Sequence, residues 1–264
     1  MARVISVVNQ KGGVGKTTTA VNLGAYLAWM GKFVLLVDLD PQANATSTLG
    51  VDRSQFEHSV YHAIIEPISF RDIIRGTHHQ GYKVAPATPD LAGARVELVP
   101  VENREFRLRD ALLEVRHDYD YILIDCPPSL DLLTINGLVA SDEILIPVQA
   151  EYLALEGLGQ LLSTIDLIKT NVRPELNVLG AVVTMYDKRN KLSAQIANEL
   201  RQHFPHRVFT TMIPRNVRLT EAPSFGQTIL TYDAHSSGGK SYEDLAREIL
   251  QLEAAVFNHV TPVV

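Results

Sequence analysis

"NQKGGVGKTTTAVNLG", residues 9–24, is the stretch on which the reading of the whole chain turns. Before it stands "RVISVVN" (3–9), a short β-branched run of the kind that forms a buried parallel strand. After it, a helical pattern runs from about Lys16 to Met30, with Val21, Ala25 and Ala28 among its apolar positions and Gly31 as a stop. A strand, a glycine loop and a helix in that order make a phosphate cradle. The glycines let backbone N–H groups face phosphate oxygens with no Cβ in the way, and the helix adds the positive end of its dipole. Lys16–Thr17 supplies the lysine and hydroxyl that close such a loop. Lys16 is expected to reach the β and γ oxygens, Thr17 to bind Mg²⁺, and Gly12, Gly13, Gly15 and Thr18 to add backbone or hydroxyl contacts. One residue exceeds the requirement: a second lysine, Lys11, on the first half of the loop.

The alternation continues down the chain. "FVLLVDLD" (33–40), "YDYILIDCPP" (119–128), "DEILIPVQA" (142–150), "LNVLGAVVTM" (176–185) and "RVFTTMIP" (207–214) read as strands. Helical patterns fall at 155–169, around 191–203 and near 241–257, with "SSGGKS" (236–241) reading as a turn before the last. Strands alternating with helices predict an α/β fold of the P-loop type, a doubly wound, mostly parallel β-sheet flanked by helices, with its ligand at the carboxyl ends of the strands. Residues 1–257 read as one domain and 258–264 as a short C-terminal tail, with 52–116 a helical, loop-rich excursion.

Composition narrows the classes. The chain has 264 residues, 46% of them hydrophobic, and a mean hydropathy of +0.03, enough for a sizeable core in a soluble protein. No run of about 18 apolar residues offers a membrane span, and the N-terminus lacks a charged-then-apolar signal pattern. Cys126 is the one cysteine, which excludes an internal disulfide and fits a reducing cytoplasm. Beside Asp125 it reads as a small buried residue, and His78–His79 has no third ligand at zinc spacing.

Two carboxylates support the loop. Asp125 ends the apolar run "YILID", where an aspartate holds Mg²⁺. Asp40 ends "LLVDLD", and Pro41 stops the strand from continuing. A carboxylate there, beside the γ-phosphate, is placed to orient the attacking water and to contact the metal's hydration shell. Asp38 shares a strand face with Asp40, and for it a role at the site and a bland one, as helix cap or loop solvator, stand nearly even.

"KGGVGKTTT", "VDLDPQANAT", "IDCPPSL", "TMYDKRNKLSAQIANELR" and "IPRNVRLTEAPSFGQ" together resemble the ParA/Soj chromosome-partitioning ATPases. These belong to the deviant Walker A class that also contains MinD and the nitrogenase iron protein. The likeness runs from about Ala2 to Gln251. It implies a slow ATPase, with Lys11, Lys16 and Asp40 as catalytic groups and Thr17, Asp40 and Asp125 on the metal side. By that resemblance Lys11 is the class's signature lysine, reaching across an ATP-sandwich homodimer to phosphates held by the partner. Spacing alone leaves it equally a lysine that solvates the loop. The resemblance also lays adenine against "MIPRNVR", with Pro214 packing on the ring and Asn216 offering its amide to the base edge. An N-cap role for Asn216 is compatible with that.

The net charge of −6 argues against a general polyanion binder, but its distribution is uneven. Residues 183–220 carry seven Lys and Arg against two acidic residues, a net +5, leaving −11 on the rest. The resemblance implies that ATP dimers bind double-stranded DNA without sequence preference through this half, with Arg189 and Arg218 at the matching positions. It further implies a ParB-like centromere-binding protein that stimulates hydrolysis, and a cytoplasmic, nucleoid-associated protein. A MinD-like membrane switch is the alternative. It needs a basic amphipathic tail, and "YEDLAREILQLEAAVFNHVTPVV" (242–264), apolar at Leu245, Ile249, Leu252 and Val256, has mainly acidic charges, so no membrane partner is expected. A nitrogenase-like cluster carrier needs two cysteines per chain.

Overall fold

The computed structural model describes residues 1–151 and 153–260. Eight strands form one sheet: β1 (Arg3–Val7), β2 (Val34–Asp38), β3 (Arg75–Gly76), β4 (Tyr82–Ala85), β5 (Tyr121–Asp125), β6 (Glu143–Gln149), β7 (Asn177–Tyr186) and β8 (Val208–Pro214). Their order is β3-β4-β2-β5-β1-β6-β7-β8. All pairs are parallel except β3–β4. The chain leaves β1 towards β2 on one side, whereas β5 leads to β6 on the other. The order therefore reverses at the sheet centre, where open α/β sheets bind ligands.

Side-chain alternation sorts the core. Val34 and Leu36, with Tyr121 and Leu123, face the layer built from the helices Lys16–Trp29 and Ser237–Val260. Leu35, Val37, Ile122 and Ile124 face the opposite layer, which includes the helices Leu132–Ala140 and Lys191–His203. By the same period of two, Asp38 and Asp125 emerge on the first face, beneath the phosphate loop and its helix. They are register partners on the adjacent strands β2 and β5.

The expected strands and helices are present, slightly shorter at several ends. Two features differ from the sequence reading. The 52–116 excursion returns to the sheet and contributes β3 and β4, of which β4 pairs in parallel with β2. These strands are only two and four residues long, with Lys83 exposed, so hydrophobic periodicity does not mark them. "SSGGKS" is no turn: the last helix starts at Ser237 and includes Gly238 and Gly239. A Cβ on Gly238 would come within 2.8 Å of Leu219 Cγ, so the glycine is there for close packing. The helix runs to Val260, across the expected start of the tail at 258, and 261–264 lie outside the described residues.

Both sheet edges are short or covered. At the β8 edge the Glu248 carboxylate accepts the Thr210 and Thr211 N–H groups at 2.9 and 3.1 Å.

The Lys16–Trp29 helix sits tightly on the sheet because Gly24 makes room for Tyr82, whose hydroxyl donates to Val21 O at 3.1 Å. A Cβ on Gly24 would run into the Tyr82 ring and hydroxyl. Gly24→Ala is therefore expected to destabilise the fold by about 1–3 kcal/mol despite its better helix propensity. Thermal unfolding should show a Tm lowered by several degrees, and an unchanged or raised Tm would mean that Tyr82 moves without cost.

Candidate nucleotide site

The phosphate loop follows β1 and is held from three sides. Asn9 donates from Nδ2 to Pro147 O at 2.7 Å and accepts the Lys11 N–H at 3.0 Å. Thr184 on β7 donates its hydroxyl to Val14 O at 2.7 Å. Gly13 and Gly15 take φ of 73° and 90°, values that side chains disfavour and that the loop requires. Lys16 is buried and folds back across the loop, donating from Nζ to Lys11 O at 3.1 Å. Burial holds its ammonium below the usual lysine range, opposed chiefly by Asp125.

Beside this loop opens a cleft of about 660 Å³. Gly12, Gly13, Gly15, Lys16, Thr17, Thr18 and Asp40 line one end, and Pro214 and Asn216 the other. Nearly every residue singled out for the nucleotide from sequence thus meets in one cavity. The volume is in the range of small-molecule sites. The far end is built by β8 and the turn after it, where Arg215 N donates to Tyr186 O at 3.0 Å. Asn216 caps the helix Val217–Glu221 by accepting the Arg218 N–H at 2.8 Å, and its Nδ2 donates to Ser237 Oγ at 2.8 Å. The N-cap role is thus filled, and one amide hydrogen is left for a ligand. Met185, at φ 51°, and Arg215 also line the cleft, and neither was assigned to it from sequence.

Lys11 does not line its own cleft. Its ammonium turns to Glu151 Oε2 at 3.4 Å, and Arg215 approaches the other oxygen at 3.6 Å.

The acidic side of the site is unequal. Asp38 is fully buried and engaged: it accepts Thr46 N–H at 2.8 Å, the Thr46 hydroxyl at 2.7 Å and Asp40 N–H at 3.2 Å. Its role is therefore the capping one, fixing the loop that bears Asp40. Burial pushes its carboxyl up to about 6. Asp125 is equally buried, yet neither of its oxygens has a hydrogen-bond partner. Burial, and then the neighbouring Asp38 charge, raise its carboxyl well above the usual range, with the Thr17 hydroxyl opposing. A buried carboxylate without a hydrogen-bond partner, beside a loop threonine, is a hard-oxygen donor set suited to a cation. It fits Mg²⁺, which takes one or two protein ligands and completes its shell with phosphates and water. No group of three or more His, Cys, Asp or Glu among the described residues could hold a metal ion. Cys126 is buried and its thiol is pushed far up by burial, which makes it inert.

The basic stretch is uneven. Arg189, in the loop after β7, is almost fully solvent-exposed, with Asp187 at 3.5 Å. Arg218 is paired twice within the chain, with Glu221 at 2.9 Å and Asp233 at 3.6 Å.

A sequence-family model described as an AAA domain matches residues 2–178. The chain is 53% identical over 249 residues to the sporulation initiation inhibitor protein Soj of Bacillus subtilis, covering 94% of this chain and 98% of that protein. It is 51% identical over 251 residues to the chromosome partitioning protein ParA of Myxococcus xanthus, covering 95% and 89%. This chain belongs to the Soj/ParA family of chromosome-partitioning ATPases. Solved structures agree with the fold of this Soj/ParA protein. One is cobyrinic acid a,c-diamide synthase from Mycobacterium smegmatis with bound ADP and magnesium (37% identity, TM-score 0.84, 95% of each chain). Another is the cell division ATPase MinD of Pyrococcus furiosus (27%, TM-score 0.79, 96% of this chain and 100% of that one). The Soj/ParA-family protein is accordingly an ATPase that uses ATP and Mg²⁺. No helix of its described residues is long and apolar enough to cross a membrane.

The buried carboxylates set a pH dependence. The folded state retains protons on Asp38 and Asp125 that the unfolded chain releases near pH 4. Nucleotide-free protein should therefore lose stability as pH rises from about 4 through 6 and above. Asp125→Asn keeps the shape and removes one charge of the pair. It should raise the Tm of the nucleotide-free protein at alkaline pH and abolish the extra Tm gain that Mg²⁺ adds to ATP. A full Mg²⁺ gain in the variant would remove Asp125 from the metal.

Proposed function

We propose that this protein is an ATP-dependent dimerisation switch that binds DNA without sequence preference and acts in chromosome or plasmid partitioning. The observation that carries the reading is the division of labour between the two loop lysines. Lys16 is buried and lines its own cleft, while Lys11 does not line it and turns its ammonium to Glu151, its carbonyl accepting the Lys16 ammonium. A cation held at the rim of one site is available to the phosphates of a facing copy, so Lys11 acts in trans and completes a sandwich homodimer. Within one subunit, Gly12, Gly13, Gly15 and Thr18 hold phosphate oxygens, Pro214 packs on adenine, and Asn216 offers its remaining amide hydrogen to the base edge. Thr17 and Asp125 would hold Mg²⁺, with Asp40 close to it, and the ion would supply neutralisation of the phosphate charge. Asp40 accepts a proton from the attacking water and orients it.

The protomer folds as one ATPase domain over 1–257 and works in the cytoplasm on the nucleoid, with no membrane partner. A ParB-like centromere-binding protein stimulates its hydrolysis. The exposed Lys188 and Arg189 in the loop after β7, with Lys191 at the start of the helix that follows, fit the DNA backbone best. Arg218 contributes less, because Glu221 and Asp233 already neutralise it.

Three substitutions test the switch. Lys16→Ala should abolish ATP binding. Lys11→Ala should bind ATP as a monomer yet neither dimerise nor hydrolyse, as followed by nucleotide titration and sedimentation with and without ATP. Asp40→Ala should bind ATP, dimerise and stay on DNA, with hydrolysis lost down to a small residual rate. Equal loss of nucleotide affinity in the two lysine variants would place Lys11 in cis and overturn the sandwich reading.

The DNA reading has its own test. Arg189→Ala should flatten the slope of log K against log salt by about 0.9 per lost phosphate contact, and by about twice that in a symmetric dimer. Arg218→Ala should change it less. A wild-type slope for Arg189→Ala would make the basic stretch a solvated face.

A further inference from the structure

Asp40 lies beyond the end of β2, in a turn of irregular backbone that leads into the short helix Asn44–Thr48. From within, the turn is fastened by Asp38, as described above. Locally it is closed by Gln42 N–H on Asp40 Oδ1 at 2.9 Å and Ala43 N–H on Asp40 O at 2.8 Å. It also passes through a strained point. Ala43 takes φ 53° and ψ 39°, the left-handed region that a residue with a Cβ enters at a cost. Such a conformation persists only where neighbouring groups hold it.

The outer hold comes from a residue that neither the phosphate loop nor the strand ends include. Arg53 Nη2 sits among three acceptors: Gln42 O at 2.8 Å, Ala43 O at 3.2 Å and Ser47 Oγ at 3.1 Å. Two of these are the carbonyls on either side of the strained step. The third lies one turn into the helix that follows. A forked, permanently charged donor suits this task, because it can bind several acceptors at once and never loses its proton. Gln42 and Asn44, from the same turn, line the nucleotide cleft beside Asp40, so the backbone that Arg53 grips is the wall next to the terminal phosphate end.

We propose that Arg53 is a positioning residue for ATP hydrolysis. Its guanidinium holds the Gln42–Ala43 turn in its left-handed conformation and thereby fixes the Asp40 carboxylate at the phosphate end of the cleft. Arg53 lies outside the cleft lining, so its effect falls on the geometry of the chemical step and not on nucleotide affinity. The inference rests on the reading of Asp40 as the group that orients water.

The experiment is Mg²⁺-dependent ATP turnover by the full chain, with wild type compared to Arg53→Ala, Arg53→Lys, Asp40→Ala and the Arg53→Ala/Asp40→Ala pair. Loosening a catalytic group by a fraction of an ångström is expected to lower kcat roughly tenfold in Arg53→Ala. KM should stay within about twofold, since ground-state binding is untouched. Arg53→Lys, which restores the charge and donor hydrogens on a compact head that is not held in the guanidinium plane, should fall between. Added to Asp40→Ala, the substitution should cost nothing further, because both changes act on one group. A wild-type kcat in Arg53→Ala, a rise in KM at unchanged kcat, or a further loss in the pair would each overturn the inference. Failure of the underlying reading is distinguishable: Asp40→Ala would then itself turn over at the wild-type rate.

Discussion

The structure depends on a buried carboxylate without a partner. Asp125 ends the strand beside β1 with both oxygens shut off from water and from any hydrogen bond. Left ionised there, it would carry one of the larger electrostatic penalties in the molecule. Three neighbours answer to it: the buried ammonium of Lys16, the hydroxyl of Thr17, and Asp38, which raises its proton affinity further. Burial thus favours the protonated carboxyls of Asp38 and Asp125, and a divalent cation with phosphates would favour their ionised form instead. Ligand binding and fold stability are in this sense one electrostatic problem.

Much of this was legible in the sequence. The apolar runs "VLLVD" and "YILID" already mark two buried strands that end in carboxylates, and the glycine loop after the first strand marks the phosphate cradle. The cleft's two ends, at Gly12–Thr18 and at Pro214–Asn216, were joined because the family resemblance supplied Pro214 and Asn216; periodicity alone would not have tied them to the loop. What stayed hidden has a physical cause in each case. The strands β3 and β4 are too short to show a period. Gly238 and Gly239 punctuate a turn by propensity, yet here they are the price of close packing against Leu219 and the preceding Ala234 carbonyl. Asp38's capping bonds come from Thr46, in a helix that only the fold brings beneath it.

Local charge also decides how the basic stretch is to be weighed. Counting Lys and Arg between 183 and 220 treats Arg189 and Arg218 alike. The structure separates them, since one projects into solvent and the other closes a triangle with Glu221 and Asp233. A charge already neutralised within its own chain attracts a distant polyanion little, whatever its position in a motif.

The Glu248 carboxylate across Thr210 and Thr211 has a consequence for how copies of this chain can meet. An open sheet edge is a template for a further strand, and unguarded edges lead to indefinite head-to-tail stacking. Here the β8 rim has two of its N–H groups occupied by a negative charge, and the opposite rim ends in a two-residue antiparallel strand. Strand addition is obstructed at both ends. Copies of this chain are therefore hindered from joining their sheets into one continuous ladder, and open-ended growth by that route is disfavoured.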